Sequence, residues 1–253
     1  MLEVEGVTVS YGSLLALDDI QIWVGKGEIV GLVGPNGAGK TSLVKAIGGS
    51  VSPDLGRILF MSEVLDHPTH RRIELGISIV PEGRGLFARM TVNENLLMGA
   101  YCERNPALTE QRLAHCYNLF PILEARGTQL AGTLSGGQQQ MLAVAMGLMS
   151  KPSLIILDEP SLGLAPIVIR EIGAALKRMR DDGLTVLLAE QNASLTCSVA
   201  DRIYIMQAGR IRYHDRPDKL FSNPEIVANY LGGGDALSSQ RSSDKVVKHD
   251  AHT

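Results

Sequence analysis

Aromatic residues are scarce: Phe, Trp and Tyr make up 4% of the chain, with a single Trp. A core made from this sequence must rest on Leu, Ile, Val, Ala and Met. The 45% hydrophobic content of the 253 residues is enough for that, as one large domain or two small ones. Cysteine is equally sparse. Cys102, Cys116 and Cys197 are widely spaced and odd in number. That excludes a disulfide framework and a spaced zinc-ligand set, and points to reduced thiols in a cytosolic protein. No apolar run reaches the roughly 18 residues of a spanning helix. The longest candidate, from Met141 to Met149, is too short, so any service to a membrane runs through a partner. The first residues, Met1 to Glu5, lack the charged-then-apolar pattern of a signal peptide. A net charge of -3 supplies no basic field for nucleic acid, and no internal repeat is visible.

Glycine is concentrated in one informative run. Gly34, Pro35, Asn36, Gly37, Ala38, Gly39, Lys40 and Thr41 lie between an apolar stretch, 29–33, and a helix-like segment opened by Ser42. Strand, loop and helix in that order are what a phosphate-cradling P-loop needs. Without a Cβ, glycine lets backbone N–H groups converge on an anion, and the helix N-terminus adds roughly half a positive charge. Lys40 can reach the β- and γ-phosphates, and the Thr41 hydroxyl can ligate Mg²⁺. An ordinary glycine-rich strand-to-helix loop is the bland alternative, and the buried-strand pattern before it weighs against that. The run predicts binding of a nucleoside triphosphate.

Around this run the pattern alternates. Strand-like segments are expected at 4–10, 20–24, 29–33, 57–60 and 77–80. From about residue 84 to 150 helical periodicity takes over, with helices at 92–101, 110–119 and 138–149, and Thr109 as a candidate cap of the second. A short apolar strand at 154–157 follows, then a helix at 167–179, a strand at 185–189 and a helix at 193–200. A hairpin is expected across Gln207, Ala208 and Gly209, between 202–206 and 210–214. Short helices at 219–221 and 225–231 end the pattern. The domain is thus expected to span 1–231 as an α/β core with a helical insert, about 84–150. After three glycines, the tail at 232–253 is expected to be disordered. His249 and His252 in that tail read as solvated residues rather than metal ligands.

Two further motifs carry chemistry. The apolar run 154–157 ends in Asp158 and Glu159, carboxylates delivered to the C-terminal end of a buried strand, where α/β sheets bind ligands. Asp158 can hold Mg²⁺, and Glu159 can take a proton from an attacking water. A helix cap is the simpler reading of such a pair, and the P-loop upstream weakens it. The second motif is Leu134, Ser135, Gly136, Gly137 and Gln138, which opens an apolar helix and forms a second anion-ready N-terminus. Taken alone it is a Ser-capped helix start. One nucleotide does not need two such termini from one chain. The economical explanation is that Ser135 and Gly137 face the γ-phosphate held by another subunit.

With these motifs in hand, residues 2–231 resemble the ATP-binding subunits of ABC transporters. The P-loop matches their Walker A motif, 134–138 their signature, and 154–159 Walker B. The resemblance implies a P-loop NTPase core of the ABC ATPase type, with an antiparallel β N-terminal part and a helical subdomain insert. It puts Tyr11 where an aromatic stacks on adenine, although a core or edge-strand tyrosine would be the default for that residue alone. Segments 81–84, 90–96, 135–143, 161–166 and 189–192 are similar to one branch, the second ATPase of branched-chain (hydrophobic) amino acid importers, the LivF type. This implies ATP and Mg²⁺ as ligands. The implied partners are a second ATPase subunit, transmembrane permease subunits and, indirectly, an extracytoplasmic solute-binding protein, with no nucleic acid. The implied location is the cytoplasmic face of the inner membrane, peripheral and through the permeases.

The chain departs from the wider family at four places, one of which, Met146 in the signature helix where arginine is common, reads as an apolar packing position. Glu82 replaces the usual glutamine in the segment facing the membrane partner; it either approaches Mg²⁺ or points to solvent or an arginine such as Arg84. Gln191 replaces the usual histidine that hydrogen-bonds the γ-phosphate, and can donate through its amide without becoming a cation. Ala165 replaces the usual aspartate in the loop that crosses the dimer interface. These last three changes belong to the branch, and imply slower hydrolysis at the site with this P-loop than at its sister. Competing expectations are a urea or amide importer, an exporter ATPase, a soluble ABC ATPase of DNA repair or translation, and a non-hydrolysing structural subunit. The acidic charge, the absence of a second ATPase copy and the intact Glu159 weigh against the last two.

Overall fold

The computed structural model describes residues 1–226. The expected helix at 225–231 therefore falls almost wholly outside the described residues, as does the tail with His249 and His252. Two long strands come first, β1 (Leu2–Tyr11) and β2 (Leu14–Val24), followed by β3 (Ile29–Val33) and α1 (Lys40–Gly48). Next come β4 (Leu55–Phe60), β5 (Glu63–Val64), α2 (Thr69–Glu74) and β6 (Ile77–Val80). The insert carries α3 (Val92–Gly99), α4 (Pro106–Leu119), α5 (Pro121–Ala125) and α6 (Gly136–Leu148). After it run β7 (Leu154–Asp158), α7 (Pro166–Asp181), β8 (Thr185–Glu190), α8 (Ala193–Val199), β9 (Arg202–Gln207), β10 (Arg210–Asp215) and α9 (Pro217–Phe221).

The strands form two sheets. An antiparallel one has the order β2-β1-β4-β5, and a mostly parallel one the order β10-β9-β3-β8-β7-β6. Side chains of β7 and β8 alternate between two cores. Ile155, Leu157, Val186 and Leu188 pack with the insert and α7, while Leu154, Ile156, Leu187 and Ala189 pack with α1 and the antiparallel sheet. Burial on both faces explains why these strands read as unbroken apolar runs. The parallel register then decides the site. Val33 pairs with Glu190, Ala189 with Asp158, and Leu157 with Val80. The residues that follow β3, β7, β8 and β6 therefore emerge along one edge of the sheet.

Local signals account for most element ends. The hairpin turn has positive φ at Ala208 (48°) and Gly209 (73°), the geometry of a type I′ turn. Thr91 and Glu94 close a capping box on α3, and Ser135 and Gln138 another on α6. One expectation is corrected. Thr109 does not cap α4; the helix starts earlier, with Asn105 accepting from Ala107 N at 3.0 Å and Pro106 in the first turn. Thr109 lies inside the helix, its hydroxyl bonding back to Asn105 O at 3.3 Å. The six-residue α2 and five-residue α5 are too short to show a helical period, and the sequence pattern misses both.

A buried cation secures the far end of α1. Arg72 donates to the carbonyls of Ala46 (2.8 Å), Ile47 (2.6 Å), Leu65 (2.9 Å) and His67 (2.6 Å). Two of these belong to the last turn of α1, where a positive charge meets the negative end of the helix dipole. Burial pushes the Arg72 pKa down from its ordinary value, against a smaller opposing pull from Asp66. Among the described residues no helix is long and apolar enough to cross a membrane. Burial also pushes the thiols of Cys116 and Cys197 up to about 12.

Candidate functional site

A cavity of about 640 Å³ opens where β3 runs into α1. Its wall includes Tyr11, Asn36, Gly37, Ala38, Gly39, Lys40, Thr41 and Ser42, with Glu82 and Glu159 opposite. Leu14, Leu15 and Ala16 from β2, Leu162, and the hairpin residues Ala208 and Gly209 complete it. None of those six was expected at the site from the sequence. They are apolar or small residues of ordinary strand and turn pattern, and only the docking of β2 and the hairpin against the loop brings them here. Tyr11 is 43% exposed at the end of β1, so its ring is available to a flat ligand.

Two of the three loop glycines, Gly34 and Gly39, are also packing requirements. A Cβ on Gly34 would lie 2.3 Å from the carbonyl oxygen of Met206, so glycine here lets β3 leave the sheet against β9. Gly39 has φ of 107° and would meet Ala16 O at 2.8 Å. It occupies the cap position of α1 and provides no side-chain cap, leaving the first N–H groups of α1 for a ligand.

Lys40 and Glu159 form the electrostatic centre. Lys40 Nζ donates to Gly34 O at 2.6 Å and Pro35 O at 3.1 Å, and lies 3.0 Å from Glu159 Oε1. Both side chains are buried, at 5% and 8% exposure. The Glu159 contact is an ion pair without a directed hydrogen bond at Oε1. Its Oε2 accepts from the Gln191 backbone N–H at 3.1 Å. Glu159 also sits at φ of 50°, an uncommon conformation for a side chain of this kind, held by Glu159 N donating to Ala189 O at 2.8 Å. Gln191 therefore meets Glu159 through its backbone, and its side chain does not line the cavity.

Asp158 is buried beside them, and its Oδ1 has no hydrogen-bond partner. Burial pushes its carboxyl pKa up; hydrogen bonding to the Thr41 side chain opposes this, while Glu159 and Glu82 add to it and Lys40 subtracts. An orphaned buried carboxylate oxygen, a hydroxyl beside it and a second carboxylate at the cavity wall are oxygen donors of the kind a hard divalent cation takes. The residues present fit Mg²⁺. Glu82 faces this cavity, whereas Arg84 turns away to Gln139, its Nη1 donating to Oε1 at 2.6 Å; no Glu82–Arg84 ion pair exists among the described residues. Asn95, fully buried, pins the following turn by donating to the carbonyls of Phe87, Met90 and Thr91 and accepting from Phe87 N, leaving the Phe87 ring 45% exposed.

Ser135, Gly136, Gly137 and Gln138 do not line this cavity. Ser135 and Gly136 are exposed, the Ser135 hydroxyl accepting from Gln138 N at 3.3 Å. Gly137 is buried where a Cβ would lie 2.8 Å from the Val168 side chain in the first turn of α7. Ala165 is the cap residue of α7 and offers no side-chain cap, so the missing aspartate leaves that helix start uncapped ahead of Pro166. Sequence reasoning also missed Glu190, a fully buried carboxylate that ties loops of the site together. Its signals were an acid ending an apolar run and its place in the segment 189–192, and neither marked a role for it.

A model of the ABC transporter family matches residues 17–162. BraG of Pseudomonas aeruginosa, a high-affinity branched-chain amino acid transport ATP-binding protein, is 45% identical over 234 residues, covering 92% of this chain and 100% of that one. The probable branched-chain amino acid transport ATP-binding protein LivF of Archaeoglobus fulgidus is 35% identical, covering 92% of this chain and 99% of that one. Among solved structures, the ADP conformation of MJ1267, an ATP-binding cassette of an ABC transporter, matches with a TM-score of 0.79 and 28% identity, over 92% of this chain and 98% of that one. The chain belongs to the ABC transporter family, as one of its ATP-binding cassettes.

Proposed function

We propose that this protein is the ATP-hydrolysing subunit that energises an importer of branched-chain or other hydrophobic amino acids. The observation that carries the ATPase reading is one cavity at the edge of the parallel sheet lined by Lys40, Thr41 and Glu159, with Asp158 buried beside it and hydrogen-bonded to the Thr41 side chain. The 45% identity to BraG over nearly the whole chain supports the solute class. Residues 1–231 act as one cassette, with the helical insert at about 84–150.

Tyr11 stacks on the base. Backbone N–H groups from Asn36 to Thr41, the first turn with Ser42, and Lys40 hold the phosphates. Thr41 and Asp158, with Glu82, would hold Mg²⁺, which would supply positive charge against the phosphates. Phosphate oxygens compete with Gly34 O, Pro35 O and Glu159 for the Lys40 ammonium, so nucleotide binding releases the Glu159 carboxylate. Glu159 then takes the proton of the attacking water as the bond to the leaving ADP breaks. The Gln191 backbone N–H keeps Glu159 aimed. Ser135, Gly136, Gly137 and Gln138 complete the site of a second ATPase subunit, whose own signature completes this one. The 82–87 segment, with Phe87 exposed, and the insert pass the motion to permease subunits at the cytoplasmic face of the inner membrane; an extracytoplasmic binding protein delivers the solute.

The test is reconstitution in proteoliposomes with the partner ATPase, permeases and binding protein. Leucine, isoleucine or valine should stimulate ATP hydrolysis and accumulate in an ATP-dependent way. Stimulation by urea or short amides, with none by these amino acids, would refute the solute assignment and leave the ATPase reading standing.

A further inference from the structure

Glu190 ends β8 with no exposed surface, and it touches three loops at once. Its Oε1 accepts from Ser161 N at 2.8 Å, in the loop that follows Glu159. Its Oε2 accepts from Asn192 N at 3.1 Å, just beyond Gln191. Its backbone oxygen accepts from Gly34 N at 3.3 Å, at the start of the P-loop. Between the two carboxylate contacts sits the Gln191 N–H that donates to Glu159 Oε2 at 3.1 Å. The peptide that aims Glu159 thus lies between Glu190 and Asn192, and the Glu190 carboxylate holds both the Asn192 N–H beyond it and the Ser161 N–H of the Glu159 loop. A carboxylate suits this place because both oxygens accept. An amide in its stead would set its NH₂ against one of the two N–H donors, with no acceptor to receive either.

We propose that Glu190 is a positioning residue for hydrolysis: its carboxylate fastens the Ser161 and Asn192 loops so that Glu159 is held on the attacking water. It does not touch the nucleotide, and it acts on turnover rather than on binding. The inference rests on the role of Glu159 given above. A misplacement of order 1 Å at a reacting group can cost about 100-fold in rate, so small loosening at Glu190 is read out in kcat.

The experiment measures ATP hydrolysis and nucleotide affinity of the complex assembled with its partner ATPase and permeases, carrying Glu190→Gln. The expected result is a fall in kcat of about tenfold or more, with KM for ATP within about threefold of the parent. A purely structural role would instead lower the amount of active complex while leaving kcat per bound nucleotide unchanged. If Glu190→Gln fails to fold, the pair Asn192→Pro and Asn192→Ala replaces it. Both lose the side-chain cap on Leu195 N, and φ of -75° at this position suits proline, but only proline deletes the N–H that reaches Glu190. Asn192→Pro should turn over about tenfold more slowly than Asn192→Ala. A Glu190→Gln kcat within twofold of the parent, or in its place equal rates for the two Asn192 variants, overturns the proposal. Glu159→Gln measured alongside separates the two claims: normal turnover there refutes the role of Glu159, whereas loss there with normal turnover for Glu190→Gln refutes only that of Glu190.

Discussion

Replacing Glu159 by glutamine removes a charge and almost no volume, and the structure says where the cost falls. The amide oxygen can keep the hydrogen bond from Gln191 N, and Lys40 keeps its two carbonyl acceptors at 2.6 and 3.1 Å. What is lost is the 3.0 Å ion pair with Lys40. Breaking a buried pair ordinarily costs about 3–5 kcal/mol when the remaining charge is left bare. Here two acceptors remain on Lys40, so we expect about 1–3 kcal/mol of stability, readable as a shifted urea midpoint with an unchanged slope. A positioned general base is worth about 10² to 10⁴ in rate, or ~2.7–5.4 kcal/mol of barrier. Nucleotide affinity should hold within about threefold, since a negative charge near the phosphates disappears and no phosphate donor does. Single-turnover hydrolysis, in an assembled complex whose partner subunit is itself silenced, gives the rate, and equilibrium binding of a fluorescent ATP analogue gives the affinity. A rate within tenfold of the parent, or an affinity loss as large as the rate loss, would refute the assignment of Glu159 as the base.

Asp158→Asn should stabilise the nucleotide-free protein while abolishing Mg²⁺-dependent hydrolysis. Burial raises the Asp158 pKa in the fold. The folded state therefore holds its proton more tightly than the unfolded one. That contribution is present below the ordinary aspartate range and lost as pH rises through the raised value. Removing it should raise stability by about 0.5–2 kcal/mol at pH 7–8 without Mg²⁺ and flatten the decline with pH, measured by thermal melts from pH 4 to 8. Arg72→Met should cost about 2–4 kcal/mol in urea unfolding, because four carbonyls, three of them in buried hydrogen bonds, lose a charged donor; a loss under 1 kcal/mol would show that water replaces it. Gln191→His should leave ATPase activity intact or raise it, since the backbone N–H that holds Glu159 is unchanged; a large loss would show that the glutamine amide has a role histidine cannot fill.

Much of the site was legible along the chain because its parts are local. Residues 34–41 are consecutive, Asp158 and Glu159 are adjacent at a strand end, and Ser135 and Gln138 close a capping box within one turn. In each case the residues that carry the chemistry are a few positions apart, which sequence spacing reports directly. The same holds for the type I′ turn at Ala208 and Gly209. Thr109 shows the limit even of local reading: a plausible cap lost to Asn105, where a proline had already set the first turn.

What the chain alone determined is therefore the chemistry: which residues can hold phosphate, cation and proton, and the alternation of strand and helix that yields a parallel sheet. The tertiary structure decided their relations. It turned Glu82 to the cavity and Arg84 to Gln139, two residues apart yet directed by different packing. It made Gly34 a packing requirement against Met206, 172 positions along the numbering (206 minus 34). It set Glu190 among loops from three strands. The reason is physical. Periodicity and spacing encode interactions along a helix or strand, whereas contacts between elements depend on sheet order and register, and the pairing of Val33 with Glu190 and of Asp158 with Ala189 exists only once the sheet has formed.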